Sequence, residues 1–368
     1  MAPNFDKAAM RPAIRPASMA DDGESAAAAS GSAINARTGS AFVMTIPPPS
    51  QAAKINCNRA LSPGPLEIAV TQNRWARAIA LSLYLSVATA WSQPVLVLQS
   101  DFGLLDGAVA SMKGVAVEVS PGIHIYDLTH QIEPFNIWQG ALRLVQTAEY
   151  WPSGTVFVSV VDPGVGTERK SIVLKTKSGH YFVTPDNGTL TFVAPRLGID
   201  SVREIDEAVN RRKDSEKSFT FHGRDVYAYT GARLAAGVIT FEQVGQALPA
   251  AVVTIPHEQA RFETGVVYGN IQTDDGNYGN IWTNIDRETF GRLQASIGDP
   301  VRIRILKGDV EVLNLTVPYV QTFGAVDVGK PLLYLNSLDS VSLAINQESF
   351  AERYKVGSGP EWSLQIRR

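Results

Sequence analysis

The chain has few of the residues that disulfide-linked domains, cysteine metal sites and nucleic-acid-binding surfaces require. Its 368 residues include a single cysteine, Cys57, which excludes an internal disulfide framework and any metal site made of several cysteines. Positive charge is not in excess either, because the formal net charge at pH 7 is -3. A nucleic-acid-binding surface needs a basic patch, so this balance predicts no nucleic-acid partner.

Most short motifs of catalysis and phosphate binding are missing as well. Gly164-Val-Gly166 lacks the third glycine of a dinucleotide fingerprint, since Arg169 stands at that position, and it lacks the Gly-Lys-Ser/Thr ending of a phosphate-binding loop. There is no His-Glu-x-x-His metalloprotease motif and no Gly-x-Ser-x-Gly nucleophile motif. The candidates that remain are Asp, Arg, His and Asn residues at the ends of predicted strands.

The chain also lacks an apolar run as long as a typical transmembrane helix. Residues 1–73 are rich in Ala, Ser, Pro and Gly, which predicts a disordered leader with no packed core. In residues 74–93, Arg74 and Arg77 precede a short apolar run at 78–90, which has the shape of a secretory signal peptide. This pattern predicts export, to the periplasm for example, without a stable membrane span. The alternative is an amphipathic packing helix in a cytoplasmic protein.

Predicted strands and helices alternate along residues 94–254. The strands are at 95–98, 123–127, 156–161, 171–175 and 181–184, and the helices are at 107–119, 139–150 and 226–236. This alternation predicts an N-terminal α/β domain whose sheet is mostly parallel and covered by helices.

The helical periodicity ends near residue 255. From there to residue 368 the chain alternates short strands with Gly, Asn and Asp turns. The predicted strands are at 264–268, 279–284, 301–307, 310–317 and 331–335. Residues 255–368 therefore read as a second, all-β domain.

The first candidate site residue, Asp162, follows the predicted strand at 156–161. This strand is apolar and β-branched, and it stops at Asp162-Pro163, where proline removes the next backbone donor. Strand ends of this kind are where α/β enzymes keep their chemistry. Arg169 follows seven residues later, far enough for the loop to fold back and bring a guanidinium beside the carboxylate. An ordinary turn with a surface ion pair is the alternative.

Two further polar clusters interrupt the apolar framework. Asp186-Asn187-Gly188 favours a simple turn. In the second cluster, His222 precedes Gly223 on the approach to a helix, where the backbone can come close to a ligand, and Asp225 is placed to cap that helix. A single histidine of this kind is more often structural than catalytic.

Seven signatures in this order resemble the S-adenosylmethionine (SAM) hydrolase family, also called SAM hydroxide adenosyltransferases, which is related to the fluorinases and chlorinases. The signatures are Ser100-Asp-Phe-Gly103, Asp127-Leu-Thr-His130, Val161-Asp-Pro-Gly-Val-Gly-Thr167 with Arg169, Pro185-Asp-Asn-Gly188, Phe221-His-Gly-Arg-Asp225, Tyr278-Gly-Asn-Ile-Trp-Thr-Asn-Ile285 and Tyr334-Leu-Asn-Ser337. The resemblance implies an α/β domain followed by a β-barrel domain. It also implies a homotrimer that binds SAM between the N-terminal domain of one subunit and the C-terminal domain of its neighbour.

The resemblance also implies a reaction: water or hydroxide attacks the 5′ carbon of SAM and releases adenosine and L-methionine, with no metal and no cofactor. It places the water-handling catalytic residues at Asp162, Arg169 and His222, and the ribose-binding carboxylate at Asp101. The residues implied for adenine and methionine binding are Tyr278, Asn280, Trp282, Tyr334, Ser337 and Asn346. Which of Asp162 or His222 accepts the proton stays open at this point.

Three other functions compete with hydrolysis. A SAM-dependent halogenase would share most of these residues, but Leu338 stands where the halogenases have Arg, and residues 170–181 lack the extra loop that the resemblance leads us to expect in fluorinases. A non-catalytic SAM or adenosine sensor would not need the intact catalytic residues. A metal phosphoesterase built on Asp101, Asp162 and His222 would lose activity in a chelator.

Overall fold

The computed structural model describes residues 94–368, which lie within one compact unit. The predicted leader at 1–73 and the signal-like segment at 74–93 lie outside the described residues, so both stay predictions. No helix in the part of the chain that the structure describes is long and apolar enough to cross a membrane.

The first sheet has seven strands in the order β2-β1-β3-β5-β4-β6-β7. The strands are β1 (Val95–Ser100), β2 (His124–Thr129), β3 (Val156–Val160), β4 (Ser171–Thr176), β5 (Tyr181–Pro185), β6 (Ile199–Glu204) and β7 (Ala247–Leu248). The neighbours β2, β1, β3 and β5 are parallel, whereas β4, β6 and β7 pair antiparallel. The sheet is therefore mixed, because residues 177–180 are too few for the crossover that parallel β4 and β5 would need.

Helices cover both faces of this sheet, as the alternation of strands and helices predicted. They are α1 (Ala108–Val119), α2 (Ile137–Ala148), α3 (Val193–Leu197), a π-helix (Gly223–Ala228) and its continuation α4 (Tyr229–Ala235). Successive strand residues point to opposite faces. Leu96 and Leu98 accordingly pack with Met112 of α1, while Val97 packs with Leu144 of α2 on the other face. The α/β class is confirmed.

The second sheet has eight antiparallel strands in the order β12-β11-β15-β9-β10-β14-β13, with β8 beside β9. They are β8 (Arg261–Glu263), β9 (Val266–Asp274), β10 (Ile281–Asp286), β11 (Pro300–Lys307), β12 (Val310–Pro318), β13 (Pro331–Leu335), β14 (Ser340–Ile345) and β15 (Trp362–Arg367). The short helices α5 (Arg287–Gly291) and α6 (Phe350–Tyr354) lie beside it. A bridge from Tyr319 to Leu333 links the end of β12 to β13 and nearly closes the sheet, which confirms the barrel-like architecture.

The connection between the sheets runs from the end of β7 at residue 248 to the start of β8 at residue 261. The predicted domain boundary near residue 255 falls inside this connection and stays a prediction. The two halves also touch elsewhere, since Trp138 Nε1 of α2 donates to the carbonyl of Gln272 at 2.7 Å.

We expect a protein that starts at Gln93 to fold and to retain full activity. Each strand of both sheets has at least one pairing partner within the described residues, which supports folding of this part of the chain by itself. Thermal unfolding and specific activity of the truncated and full-length proteins would check this. A truncated chain that fails to unfold cooperatively would show that the leader is structural.

Candidate active site

Parallel pairing of β1 and β3 brings two carboxylates to one edge of the first sheet. Gln99 pairs with Ser159 and Ser100 with Val160, so Asp101, directly after β1, and Asp162, two residues after β3, lie at neighbouring strand ends. Both line a cavity of about 280 Å³. Its other lining residues include Phe102, Phe135, Val165, Phe221 and His222. The cavity therefore has mostly apolar walls with two carboxylates and one imidazole.

The loop after β3 folds back and places Arg169 on Asp162. Arg169 Nε donates to the two carboxylate oxygens at 2.9 and 3.1 Å, and Nη2 donates to Oδ2 at 2.5 Å. The side chains of Arg169 and Asp162 are only 11% and 4% exposed, so the alternative of a surface ion pair is wrong. A buried, bidentate pair holds both groups in a single geometry.

His222 is the third member of this group, and Arg169 determines which of its nitrogens carries the proton. Arg169 Nη2 lies 3.2 Å from His222 Nδ1 and can only donate, so Nδ1 is the acceptor. In the neutral ring the proton is then on Nε2. Nε2 is buried and has no hydrogen-bond partner among the described residues. A donor N–H is thus left unused in a residue that lines the cavity.

A layer of residues that the sequence reading missed lies behind this group. Arg169 Nη1 donates to Ser171 Oγ at 3.0 Å, and Tyr227 Oη lies 3.2 Å from Ser171 Oγ and donates to Asp162 Oδ2 at 3.4 Å. Ser171 also donates to Glu207 Oε1 at 3.4 Å. These residues come from β4, the π-helix and the segment after β6, so no local pattern in the sequence marks them as one group.

Burial and charge shift the proton affinities in this cluster. The pKa of His222 is lowered, chiefly by burial and further by the charges of Arg169 and Arg211, which keeps the ring neutral near pH 7. Burial also opposes the charge on Arg169, but the hydrogen bond to Asp162 and the neighbouring acidic groups together outweigh it, so the pKa of Arg169 is raised. Burial, followed by the charge of Asp162, raises the pKa of Tyr227 and keeps the phenol protonated.

The backbone around His222 differs from the capped helix that the sequence indicated. Asp225 does not cap it: this residue is fully buried inside the π-helix and accepts from Arg224 at 2.7 and 2.9 Å. Gly223 allows close packing, because a Cβ there would lie 3.1 Å from the Phe102 ring and 3.3 Å from Val160. The wider turn of a π-helix is common at functional sites.

Asp101 is held at the opposite side of the cavity. Its Oδ2 accepts a hydrogen bond from the backbone N–H of Phe135 at 2.8 Å, and Phe135 has a left-handed backbone with φ 67°. The preceding residue, Ser100, is buried and lies 2.7 Å from His130 Nδ1. These contacts fix the loop that carries Asp101, so the carboxylate faces the cavity in a defined position.

Three of the predicted adenine- and methionine-binding residues line a second cavity of about 590 Å³. These are Tyr278, Asn280 and Asn346. Asn280 Nδ2 donates to Asp275 Oδ2 at 2.7 Å, Asn346 Nδ2 donates to the carbonyl of Val326 at 2.8 Å, and the Tyr278 side chain is exposed. The amides are thus partly engaged within the chain, whereas the Tyr278 ring is free to contact a partner.

The other three predicted binding residues do not line this second cavity, although Trp282 shares a further cavity with Tyr278. Trp282 and Ser337 share a cavity of about 430 Å³ together with Leu338. Tyr334 lies in a small apolar cluster with Val320, Leu332 and Ala344, and burial raises its pKa to about 12. Tyr334 therefore lines neither the cavity of Asn280 nor that of Ser337.

The predicted site residues thus form two sets that share no cavity within one chain: none of the residues predicted for adenine and methionine binding lines the cavity of Asp101, Asp162 and His222. Every residue that lines the cavity of Asp101, Asp162 and His222 falls between positions 101 and 223. The residues that line the cavity of Tyr278, Asn280 and Asn346 fall between 274 and 352. In the described part of the chain, no cluster of three or more His, Cys, Asp or Glu side chains has the arrangement of a metal site.

Solved structures and characterised proteins resemble this chain over nearly its whole described length. A crystal structure of an uncharacterized conserved protein from Thermotoga maritima is 35% identical, with a TM-score of 0.67, and is matched over 74% of this chain and 100% of its own. An (R)-S-adenosyl-L-methionine hydrolase from Methanocaldococcus jannaschii is 36% identical over 68% of this chain and 95% of its own. A fluorinase from an Actinoplanes species is 30% identical over 72% and 95%.

The family itself is identified by two domain models. The SAM hydroxide adenosyltransferase N-terminal domain matches residues 96–245, and the C-terminal domain of the same family matches residues 269–363. These ranges contain most of both sheets and the helices of the first. The resemblance seen in the sequence motifs is confirmed. The chain is therefore an enzyme of the SAM hydroxide adenosyltransferase family.

Proposed function

We propose that this enzyme hydrolyses SAM to adenosine and L-methionine by attack of water on the 5′ carbon. The observation that carries the proposal is the hydrogen-bonded group of Asp162, Arg169 and His222, in which Asp162 and His222 line one small cavity and an N–H of His222 is unused. The names of the hydrolase relatives support the same reaction.

The hydrogen bonds support a distinct proposed role for each of the three residues. The Nε2–H of His222 donates to the oxygen of the water and orients it. Asp162 accepts the proton that the water loses, since Nδ1 of His222 is occupied by Arg169. Arg169 fixes the carboxylate and favours negative charge nearby. The new C–O bond forms as the C5′–S bond breaks, and that bonding pair leaves with sulfur as the neutral thioether of methionine.

The cavity suits the charges of this reaction. SAM is a sulfonium cation, and the approach of a hydroxide-like oxygen brings opposite charges together, so a site with little water speeds the step. Phe102, Val165 and Phe221 supply apolar walls around the nucleophile position. The leaving group is neutral and needs no acid, so positioning of the water in line with the C–S bond supplies much of the remaining acceleration.

Halogenation is the second candidate, because fluorinases are among the relatives. Two observations favour hydrolysis. Strands β4 and β5 are joined by residues 177–180 alone, without the longer loop that the resemblance leads us to expect in fluorinases. The water-handling residues are also all present and in mutual contact.

We also propose that each active site is completed by a neighbouring subunit of a homotrimer. The two sets of site residues line different cavities within one chain, which supports a shared site. Apolar side chains near the first cavity are exposed in the single chain, notably Leu104, Leu105, Phe135 and Phe219, which are 64%, 102%, 70% and 64% exposed. A neighbour packed there would bury them.

Incubation of the protein with SAM, followed by chromatography of the products, tests the reaction. We expect adenosine and methionine in equal amounts, with rates unchanged by EDTA and by added chloride or fluoride. A halogenated nucleoside formed only with halide would identify a halogenase, whereas loss of activity in EDTA would show that the reaction needs a metal ion. Binding of SAM without turnover would leave a sensor as the function.

A further inference from the structure

Glu207 lies directly behind the His222 ring, in the segment that follows β6. Its Oε1 is 3.4 Å from Ser171 Oγ and 4.0 Å from His222 Nδ1, and its Oε2 accepts from Arg211 Nη1 at 2.5 Å. Glu207 and Arg211 thus form a second acid–arginine pair near the pair of Asp162 and Arg169. The His222 imidazole lies close to both pairs.

We propose that Glu207 is a positioning residue for the water-handling group. Through Ser171 it holds the guanidinium of Arg169, and its charge balances the two arginines that face His222. This inference rests on the proposed hydrolysis, in which His222 acts as a neutral hydrogen-bond donor.

The first part of the argument is geometric. Ser171 Oγ accepts from Arg169 Nη1 at 3.0 Å and has one hydrogen of its own to donate. Glu207 Oε1 and Tyr227 Oη are the two acceptors within reach, at 3.4 and 3.2 Å. Ser171 is itself buried, so its contact with Arg169 is shielded from water and restrains the guanidinium, while the Glu207 side chain is 34% exposed. Arg169 in turn occupies His222 Nδ1 and so keeps the proton on Nε2.

The second part of the argument is electrostatic. Four charged residues act on His222: Glu207 and Asp162 favour its protonated form, whereas Arg169 and Arg211 disfavour it. They come from the segment after β3, the residues before β4 and the segment after β6. Without Glu207 the two arginines would face the imidazole with one carboxylate, and the ring would be harder to protonate. Without the positive charge of Arg211, the His222 ring would be easier to protonate.

Two substitutions therefore have opposite expected effects on the titration of His222. Glu207→Gln removes a negative charge with little change of shape, so His222 should become protonated only at lower pH than in the wild type. Arg211→Gln removes a positive charge, so His222 should become protonated at higher pH. Arg211→Lys removes the guanidinium contacts but keeps the positive charge. Comparison with Arg211→Gln therefore separates the effect of the charge from the effect of the contacts. A packing defect alone would not produce shifts of opposite sign.

The titration can be measured directly by NMR of the full-length protein with ¹³C-labelled histidine rings. The signal of His222 is the one of five that is missing in His222→Gln. Opposite shifts in Glu207→Gln and Arg211→Gln, with little shift in Arg211→Lys, would support the role of Glu207. Unchanged titration in Glu207→Gln, or shifts in the same direction in both charge-removing variants, would overturn it.

Kinetics provide the second readout. The acid limb of kcat for SAM hydrolysis should move with the His222 titration, to lower pH in Glu207→Gln and to higher pH in Arg211→Gln. Ser171→Ala leaves the charges in place but loosens Arg169, so it should lower kcat by roughly tenfold while KM stays unchanged. If the wild type forms no adenosine and methionine, the proposed function fails, whereas the NMR result still decides whether Glu207 controls His222.

Discussion

Replacing Arg169 or His222 by Ala is expected to lower turnover of SAM by roughly a hundredfold or more, with binding of adenosine nearly intact. A hundredfold loss corresponds to about 2.7 kcal/mol of transition-state stabilisation. The reason for the Arg169 effect is that its removal releases both the Asp162 carboxylate and His222 Nδ1. His222→Ala removes the unused N–H that orients the water in the proposed mechanism. Steady-state kinetics with SAM and calorimetry with adenosine would measure the two quantities.

Arg196→Ala serves as the matched control for loss of an arginine. Arg196 lies on α3 and pairs on the surface with Glu149, with 61% and 45% of the two side chains exposed. Its replacement should leave kcat within about twofold of the wild type, since surface pairs contribute little. Wild-type turnover in both Arg169→Ala and His222→Ala would show that the water is handled by other residues.

Mixing two inactive variants is expected to restore activity. Asp162→Ala damages the first half-site and Asn280→Ala damages the second, and the two residues line different cavities. If pockets form between subunits, trimers refolded from an equal mixture contain some pockets built from two undamaged halves. Random assembly predicts about a quarter of the pockets to be intact. Activity should also fall on dilution below the range in which the trimer dissociates.

A second mixture provides the control for this experiment. Asp162→Ala and Arg169→Ala damage the same half-site, so every pocket in their mixed trimers carries a lesion and no activity should return. Mass measurement of the assemblies establishes that mixed trimers are present. An inactive mixture of Asp162→Ala with Asn280→Ala, in samples shown to contain such trimers, would indicate that each pocket is built within a single chain.

Much of the framework follows from local patterns in the sequence. Buried parallel strands such as β3 are recognisable because both of their faces are apolar, and their ends are marked by polar residues such as Asp162. The spacing of Asp162 and Arg169 within one loop is also local, and their ion pair forms as that spacing predicted. The order of the motifs was sufficient to identify the family, because each motif is a short contiguous stretch.

Only the tertiary structure decided how the site is organised. Ser171, Glu207 and Tyr227 come from distant segments, and the pairing of strands and the packing of the π-helix bring them together behind Arg169. The buried position of Tyr334 and the burial of Asp225 within the π-helix likewise depend on neighbours far away in the chain. The proton of His222 is assigned by a contact with Arg169, 53 residues earlier in the chain. Periodicity in a sequence reports which face of an element is buried, but it carries no information about which distant side chain lies against that face.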